Sequence, residues 1–498
     1  MLAIAVSRDD SASVHIGERL RDIADWTEHT DGSRPGADGG GTVYRTDSVE
    51  LREFDDLHLE LDGVADAFGR VDGVEGRTDP TLLVFASRHA GETGPLLTAH
   101  HTGNVGPAEY GGEPGAFARA CPNAHRRVLA ALREHSPDGY EVGMEATHHG
   151  PTDVGVPSMF VEVGSDEPQW DDPDAAGAVA RAVLALADTD PDAPDENGTR
   201  RHLVGFGGGH YAPRFERIVT ETDWAVGHVA PDWGLDAMGD PDANRDVIRR
   251  ALEASAADYA VVEGDRPDLK RVVDDLGYRA VSETWVRETT GVPLHLVETV
   301  EDRLGSVDDG VRFGERASEY GSGADGDGGA LGVVALPDDL LAEAQGIDGE
   351  AARAAVERAT VAFETSESGT RAGGRALVAA DEDGAASVAA DEDGAASVAA
   401  GEDGAASVAA GEDGAALVDD LAAVLDAKYE TVERTDGAVV ARESAFDPER
   451  ARTLGVSDGP KLGRLAEGEP VTVGGDEIDP AVVRVEREHR FPVDDPTG

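Results

Sequence analysis

Short apolar runs alternate with amphipathic stretches along the first 300 residues. The runs lie at 2–6, 81–86, 96–99, 140–146, 158–163, 202–206, 224–229 and 259–262. Their lengths suit strands and are too short for helices. Between several of them, at 116–133, 175–186, 246–256 and 269–276, apolar residues recur at helical spacing. Strands joined by helices predict an α/β domain with a mostly parallel sheet, because each parallel pair needs a crossover that a helix supplies.

Beyond residue 300 the pattern is less regular. Residues 321–329 are rich in Gly and Asp and read as a loop, while 338–362 carry helical spacing. A decapeptide then occurs four times, as VAADEDGAAS from Val378 and Val388, VAAGEDGAAS from Val398 and VAAGEDGAAL from Val408. A period of ten fits no common solenoid, and each unit offers one Val and a few Ala to bury. It reads as a flexible acidic spacer. Residues 419–425 look helical, and 428–498 read as a β-rich module with many turn signals. The expected organisation is an α/β domain at 1–300, an acidic α/loop extension at 301–376, a low-complexity linker at 377–418 and a small C-terminal module at 419–498.

Composition changes this picture in one respect. The formal net charge is −58, from 101 acidic and 43 basic residues, and lysine occurs only as Lys270, Lys428 and Lys461. The acid is spread over segments that keep their hydrophobic periodicity, which predicts a folded chain with an acidic surface. Its self-repulsion destabilises the fold in dilute buffer. In molar salt the Debye length falls to about 3 Å and screens it, so the expected setting is a salt-rich cytoplasm. A single cysteine, Cys121, excludes an intrachain disulfide and reads as structural. The apolar opening at 2–6 is too short for a signal peptide, and no run approaches the roughly 20 residues of a membrane span. The expectation is a soluble cytoplasmic protein with no membrane partner, taken as a monomer.

Histidine carries the chemistry. Of 15 histidines, ten fall between His89 and His228, and their placement is regular. Predicted strands lead into Ser87-Arg88-His89, His100-His101-Thr102-Gly103-Asn104, Thr147-His148-His149-Gly150-Pro151, Gly207-Gly208-Gly209-His210 and Gly227-His228. Ligands of open α/β sheets bind at the carboxyl ends of strands, so these loops are expected on one rim. Imidazole is both a zinc ligand and a base near neutral pH, and Glu145 adds a carboxylate. Neighbouring strand residues face opposite ways. Both rings of His148-His149 therefore serve one site only if the chain turns there, as Gly150-Pro151 suggests; one ring of His100-His101 faces away. The three glycines Gly207, Gly208 and Gly209 admit positive φ and offer N–H groups to an anion. No dinucleotide fingerprint, nucleophile elbow or Walker loop occurs.

Four stretches together carry a family resemblance: His100-x-Thr102-Gly103-Asn104; Ala108-x-Tyr110-Gly111-Gly112; Glu145-Ala146-Thr147-His148-His149-Gly150-Pro151-Thr152; and Gly207-Gly208-Gly209-His210-Tyr211-Ala212-Pro213. With Ser7-Arg8-x-Asp10-x-Ala12-Ser13 they resemble the archaeal and plant D-aminoacyl-tRNA deacylases, in order over about residues 1–280. The resemblance implies that the 1–300 domain hydrolyses the ester joining a D-amino acid to tRNA and binds one or two Zn2+ per chain. It carries over His89, His100, Glu145, His148, His149, His210 and His228 as site residues, but not His101. The working assignment takes Glu145, His149 and His210 as catalytic and His89, His100, His148 and His228 as metal ligands, with ligand and base open to exchange. Thr102, Gly103, Asn104, Gly207, Gly208 and Gly209 are expected to form the substrate loops, and Arg8, Arg88, Arg214 and Lys461 to touch tRNA. Asp232 stands where relatives usually carry a lysine, which removes a phosphate contact from that loop. A second stretch, Ala451-x-x-Leu454-Gly455-Val456 through Gly459-Pro460-Lys461 to Gly468, is similar to one found in ribonuclease Z, which also handles the acceptor end of tRNA. Two rival readings are a metal-dependent amidohydrolase of small molecules and a non-catalytic tRNA-binding protein.

Overall fold

All eight apolar runs of the first 300 residues form strands in the computed structural model, which describes residues 1–194, 199–320, 331–379, 406–407, 412–435 and 437–493. The chain divides into two units, Met1–Thr290 and Gly291–Gly498. The first unit holds β1 (Leu2–Ser7), β2 (Thr27–Asp31), β3 (Gly41–Arg45), β4 (Val49–Phe54), β5 (Leu82–Arg88), β6 (Leu96–His100), β7 (Glu141–Met144), β8 (Ser158–Gly164), β9 (His202–Phe206), β10 (Ala225–Ala230), β11 (Tyr259–Val262) and β12 (Arg279–Val281).

These strands form two sheets. The larger has the order β2-β3-β4-β1-β5-β8-β6-β7, and the smaller, β10-β9-β11-β12, is parallel throughout. In the larger sheet β4, β1, β5 and β8 run parallel. β6 then reverses against β8, and β7 follows β6. The fold is thus α/β with a mostly parallel core, but the reversal moves the carboxyl ends of β6 and β7 away from the rim of β5 and β8. His100 pairs with Phe160, midway along β8, whereas Arg88 pairs with Val163 near its end. The histidine loops therefore meet over a face of the sheet, not along one rim as expected.

Burial explains which face. Helices Ser11–Ile23 and Pro173–Leu184 pack together on one side, the second with an almost wholly buried run of small residues. The first begins at Asp10, whose carboxylate caps it by accepting the Ser13 N–H at 3.1 Å. The other side presents Ala3, Ala5, Leu83, Phe85 and Phe160, the alternate positions of their strands. Loops cover that side. The helix expected at 116–133 starts only at Pro122, because the Ala116 carbonyl and the Ala118 N–H bond the 101–106 loop at 2.8 and 3.1 Å instead.

The second unit corrects the expected organisation. Its boundary falls at Gly291, so helix Leu294–Leu304 belongs to it. The segments assigned to a separate extension and C-terminal module share one core: Leu341, Val356 and Phe363 are buried with Leu421, Val439 and Phe491. Helix Glu412–Leu425 begins inside the expected linker and buries Leu417 in that core. Residues 380–405 and 408–411 of the repeat, like the loop expected at 321–329, lie outside the described residues. Strands Thr431–Thr435, Ala438–Phe446 and Arg484–Pro492 pair antiparallel. Among the described residues no helix is long and apolar enough to cross a membrane.

Candidate functional site

Glu145 is the hub. It follows β7, is 1% exposed, and its side chain lies among three imidazoles. Its Oε2 is 2.8 Å from His210 Nε2 and 3.8 Å from His148 Nε2; its Oε1 is 3.1 Å from His89 Nδ1. These approaches are short, yet neither oxygen lies on the axis of a donated hydrogen bond. A buried carboxylate without aligned donors is costly unless a cation compensates it. Burial opposes its ionisation, but the His210 and His89 rings hold it well below the usual carboxylate range.

A second carboxylate escaped the sequence reading. Glu162 on β8 is 4% exposed, with Oε1 3.6 Å from His100 Nε2 and Oε2 3.5 Å from His89 Nδ1. The signal was present: Glu162 is the charged position of a strand whose seven residues are all buried. Burial disfavours a charged His89, but Glu145 and Glu162 reverse this and push it up to about 11. Its Nε2 bonds the Tyr211 hydroxyl at 2.9 Å. Only glycine fits at Gly164 beside it, since a Cβ there would meet the His89 Cβ at 2.7 Å.

His148 and His149 do turn into one site. His149 has φ of 48°, a left-handed conformation that a non-glycine residue adopts under constraint. The two rings lie 4.4 Å apart and stand 4.3 and 4.9 Å from His100. His149 Nδ1 bonds the Gly150 carbonyl at 2.6 Å and His148 Nδ1 that of Ala146 at 2.9 Å, which orients both rings. Burial and the neighbouring His100 hold His149 down to about 3 and His148 well below its ordinary value. Donor atoms of His100, His148 and His149 lie within 4.8 Å of one another, as do those of His89, Glu145 and His210, and of His100, Glu145 and Glu162.

His228 does not join them, which corrects its assignment as a ligand. Its Nε2 bonds the Ala118 carbonyl at 2.8 Å and its Nδ1 the Thr147 hydroxyl at 3.1 Å, so both nitrogens are engaged. The residue lies within β10 and packs on Phe117 and His101. His101 faces away from the site, as the alternation of the pair predicts: Nδ1 bonds the Gly227 carbonyl and Nε2 accepts the Cys121 N–H, both at 3.1 Å. Cys121 is fully buried and its thiol is pushed up by that burial, in keeping with a structural role.

The expected substrate loops are chiefly braces. The Gly103 N–H bonds the His149 carbonyl at 2.9 Å, and Asn104 Nδ2 donates to the Gly111 carbonyl at 2.9 Å. Thr102 is fully buried. Gly207 has φ of 108° and no room for a side chain, a Cβ meeting the Glu263 carbonyl at 2.8 Å; Gly208 has φ of 85°, and Gly209 leads directly to His210. The cationic residues fare unevenly. Arg8 pairs with Glu53 at 3.2 Å and with Asp55, and Arg214 with Glu283 at 3.0 Å. Lys461, in the second unit, donates to the Thr472 carbonyl at 2.6 Å. Arg88 lies over the Trp170 ring at 5.4 Å, and that indole N–H bonds the His89 carbonyl at 3.0 Å.

The chain as a whole is similar to known proteins. The family described as D-aminoacyl-tRNA deacylase matches residues 76–281. Proteins named D-aminoacyl-tRNA deacylase from Halorubrum lacusprofundi and Haloarcula marismortui are 55% and 53% identical, covering 100% and 99% of this chain and 98% and 100% of their own. A crystal structure described as a conserved protein of unknown function is 27% identical with a TM-score of 0.50, covering 58% of this chain and 98% of that one.

Proposed function

The chain belongs to the D-aminoacyl-tRNA deacylase family and hydrolyses D-aminoacyl-tRNA; from that premise we propose that its buried histidine–carboxylate cluster holds one or two zinc ions. The observation that carries this is the set of buried donor atoms without an aligned hydrogen bond: both oxygens of Glu145, which face imidazoles, and His100 Nε2, which faces Glu162. Nitrogen and oxygen donors in this ratio suit zinc. His100, His148 and His149 supply a three-imidazole set for one ion; a second ion at His89, Glu145 and His210 would take the place of the His89 proton and of the free His210 ring that the one-ion chemistry uses. Bound there, zinc lowers the pKa of its water towards about 7 and polarises the ester carbonyl.

The remaining chemistry rests on the side chains. With burial holding it near 3, His149 is a poor base at neutral pH, so it is moved from the catalytic to the ligand set. His210 takes the proton of the attacking water. Its side chain is 38% exposed, and Glu145 at 2.8 Å orients it as a carboxylate orients a catalytic imidazole. The imidazolium of His89 neutralises Glu145 and Glu162. Arg88, held over the Trp170 ring beside His89, is assigned to a tRNA phosphate. Arg8 and Arg214, already paired with acids, are weaker candidates.

The acidic surface suits a salt-rich cytoplasm, and we take the enzyme as a monomer there. The test is deacylation of D- against L-aminoacyl-tRNA in molar KCl, with and without chelator. Purified protein is expected to carry one or two zinc ions and to lose activity on chelation. Full activity in metal-free protein removes zinc from the account. With a net charge of −58, the fold is expected to melt as salt is lowered to about 50 mM, where the Debye length exceeds 10 Å; an unchanged circular dichroism spectrum there contradicts it.

A further inference from the structure

Exposed aromatic side chains are confined to the loops around the site and the first turn of helix Asp232–Met238. Among the described residues they are Tyr110, Trp233 and Tyr211, at 67%, 52% and 36% exposure. The Tyr110 carbonyl accepts the N–H of Gly150, next to His149, at 2.8 Å. Tyr211 follows His210 and bonds His89 Nε2 at 2.9 Å. Trp233 follows Asp232, whose N–H donates to the Gly208 carbonyl at 2.9 Å in the loop that carries His210. Tyr110 and Tyr211 are one hydrogen bond or one peptide from a site histidine or its neighbour, and Trp233 is one residue beyond such a bond. Neither Tyr110 nor Trp233 has a part in the chemistry assigned above, and single exposed aromatics have no reason to gather at three separate segments around one site.

We propose that Tyr110, Trp233 and Tyr211 form a stacking platform for the unpaired bases at the 3′ end of tRNA, the part of the substrate that must enter the ester site. The proposal rests on the deacylase reading. Phosphate recognition by counterion release weakens steeply with salt, and a chain with three lysines and a net charge of −58 is poorly equipped for it. Base–aromatic stacking needs no charge and tolerates any base. The acids beside Trp233 on its helix are already compensated, since Arg266 lies 2.8 Å from Asp232 Oδ1 and 3.6 Å from Asp236 Oδ1.

The experiment measures binding of unacylated tRNA to the full-length chain in molar KCl, against the same tRNA lacking its three terminal nucleotides. Wild type is expected to favour intact tRNA by about tenfold or more, the loss of one or more stacked bases. The double variant Tyr110→Ala/Trp233→Ala should lose that preference, and Tyr110→Phe/Trp233→Tyr should keep it. No preference in wild type, or an unchanged preference in the alanine variant, overturns the proposal. So does a wild-type dimer in sedimentation that the alanine variant abolishes, which would make the patch an interface between two copies. Failure of the deacylase reading shows separately, as wild type that does not release amino acid from D-aminoacyl-tRNA.

Discussion

Two histidine clusters lie back to back across the end of β6, and only one of them gathers carboxylates. His100 joins His89, His148, His149 and His210 around Glu145 and Glu162. His101, its neighbour in sequence, joins His125 and His228. In the second cluster the rings bond main-chain groups: Gly227 and Cys121 for His101, Ala99 for His125 at 3.1 Å, Ala118 for His228. No carboxylate lies within ion-pair distance of those three rings among the described residues. In the first cluster two buried carboxylates face the rings instead. Burial alone does not mark a functional histidine; what marks it is a partner able to hold charge or a metal.

The largest effect expected from breaking this contrast comes from Glu145→Gln. It keeps the volume but removes the charge, and deacylation should fall about a thousandfold, about 4 kcal/mol of barrier. Activity within tenfold of wild type, measured by release of D-amino acid in molar KCl, removes Glu145 from the centre of the site.

The second cluster should answer to pH. Burial holds His125 and His228 down to about 4, below the roughly 6.5 of an unfolded chain. Above pH 6.5 both states are neutral and nothing changes. As pH falls from about 6.5 to 4, the unfolded chain binds protons that the folded one refuses, so stability drops, by roughly 3 kcal/mol for each group. Thermal midpoints in molar KCl should decline across that window, less steeply in His125→Gln. Equal slopes in variant and wild type refute the assignment.

Glu162→Gln sharpens the comparison from the other side. Supporting groups around a metal typically contribute 10–100-fold to affinity or rate, and a loss of that size in zinc affinity or activity is expected. A variant indistinguishable from wild type in both leaves Glu162 a buried bystander. The smallest effect on activity belongs to His228→Asn. It should cost about 1–3 kcal/mol of stability, through buried partners left unsatisfied, while zinc content and rate per folded molecule persist. Loss of zinc in folded His228→Asn would restore it as a ligand.

Periodicity alone placed the eight strands of the apolar runs, since a buried strand must be apolar whatever it packs against. It did not show β2, β3, β4 and β12: Thr27–Asp31 is largely exposed and carries no apolar pattern to detect, and Val49–Phe54 has its apolar residues interrupted by the buried Glu50 and Arg52. The extended and C-terminal segments were legible as helix and strand, but not as partners in one core, because Leu341 and Val439 meet only through the fold.

The candidate site divides in the same way. Sequence by itself determined the chemistry available: histidine-bearing strand ends, Glu145, a turn at Gly150 that brings His148 and His149 together, and one ring of His100-His101 turned away. Those follow from residue identity and local backbone geometry. Tertiary structure decided which of these groups meet. The reversal of β6 against β8 set His100 over Glu162, a residue whose strand gave no hint of a partner. The register of β10 left His228 between the Ala118 carbonyl and Thr147, where both its nitrogens are engaged. Strand direction and register are properties of the assembled sheet, fixed by how all its strands bury their faces at once.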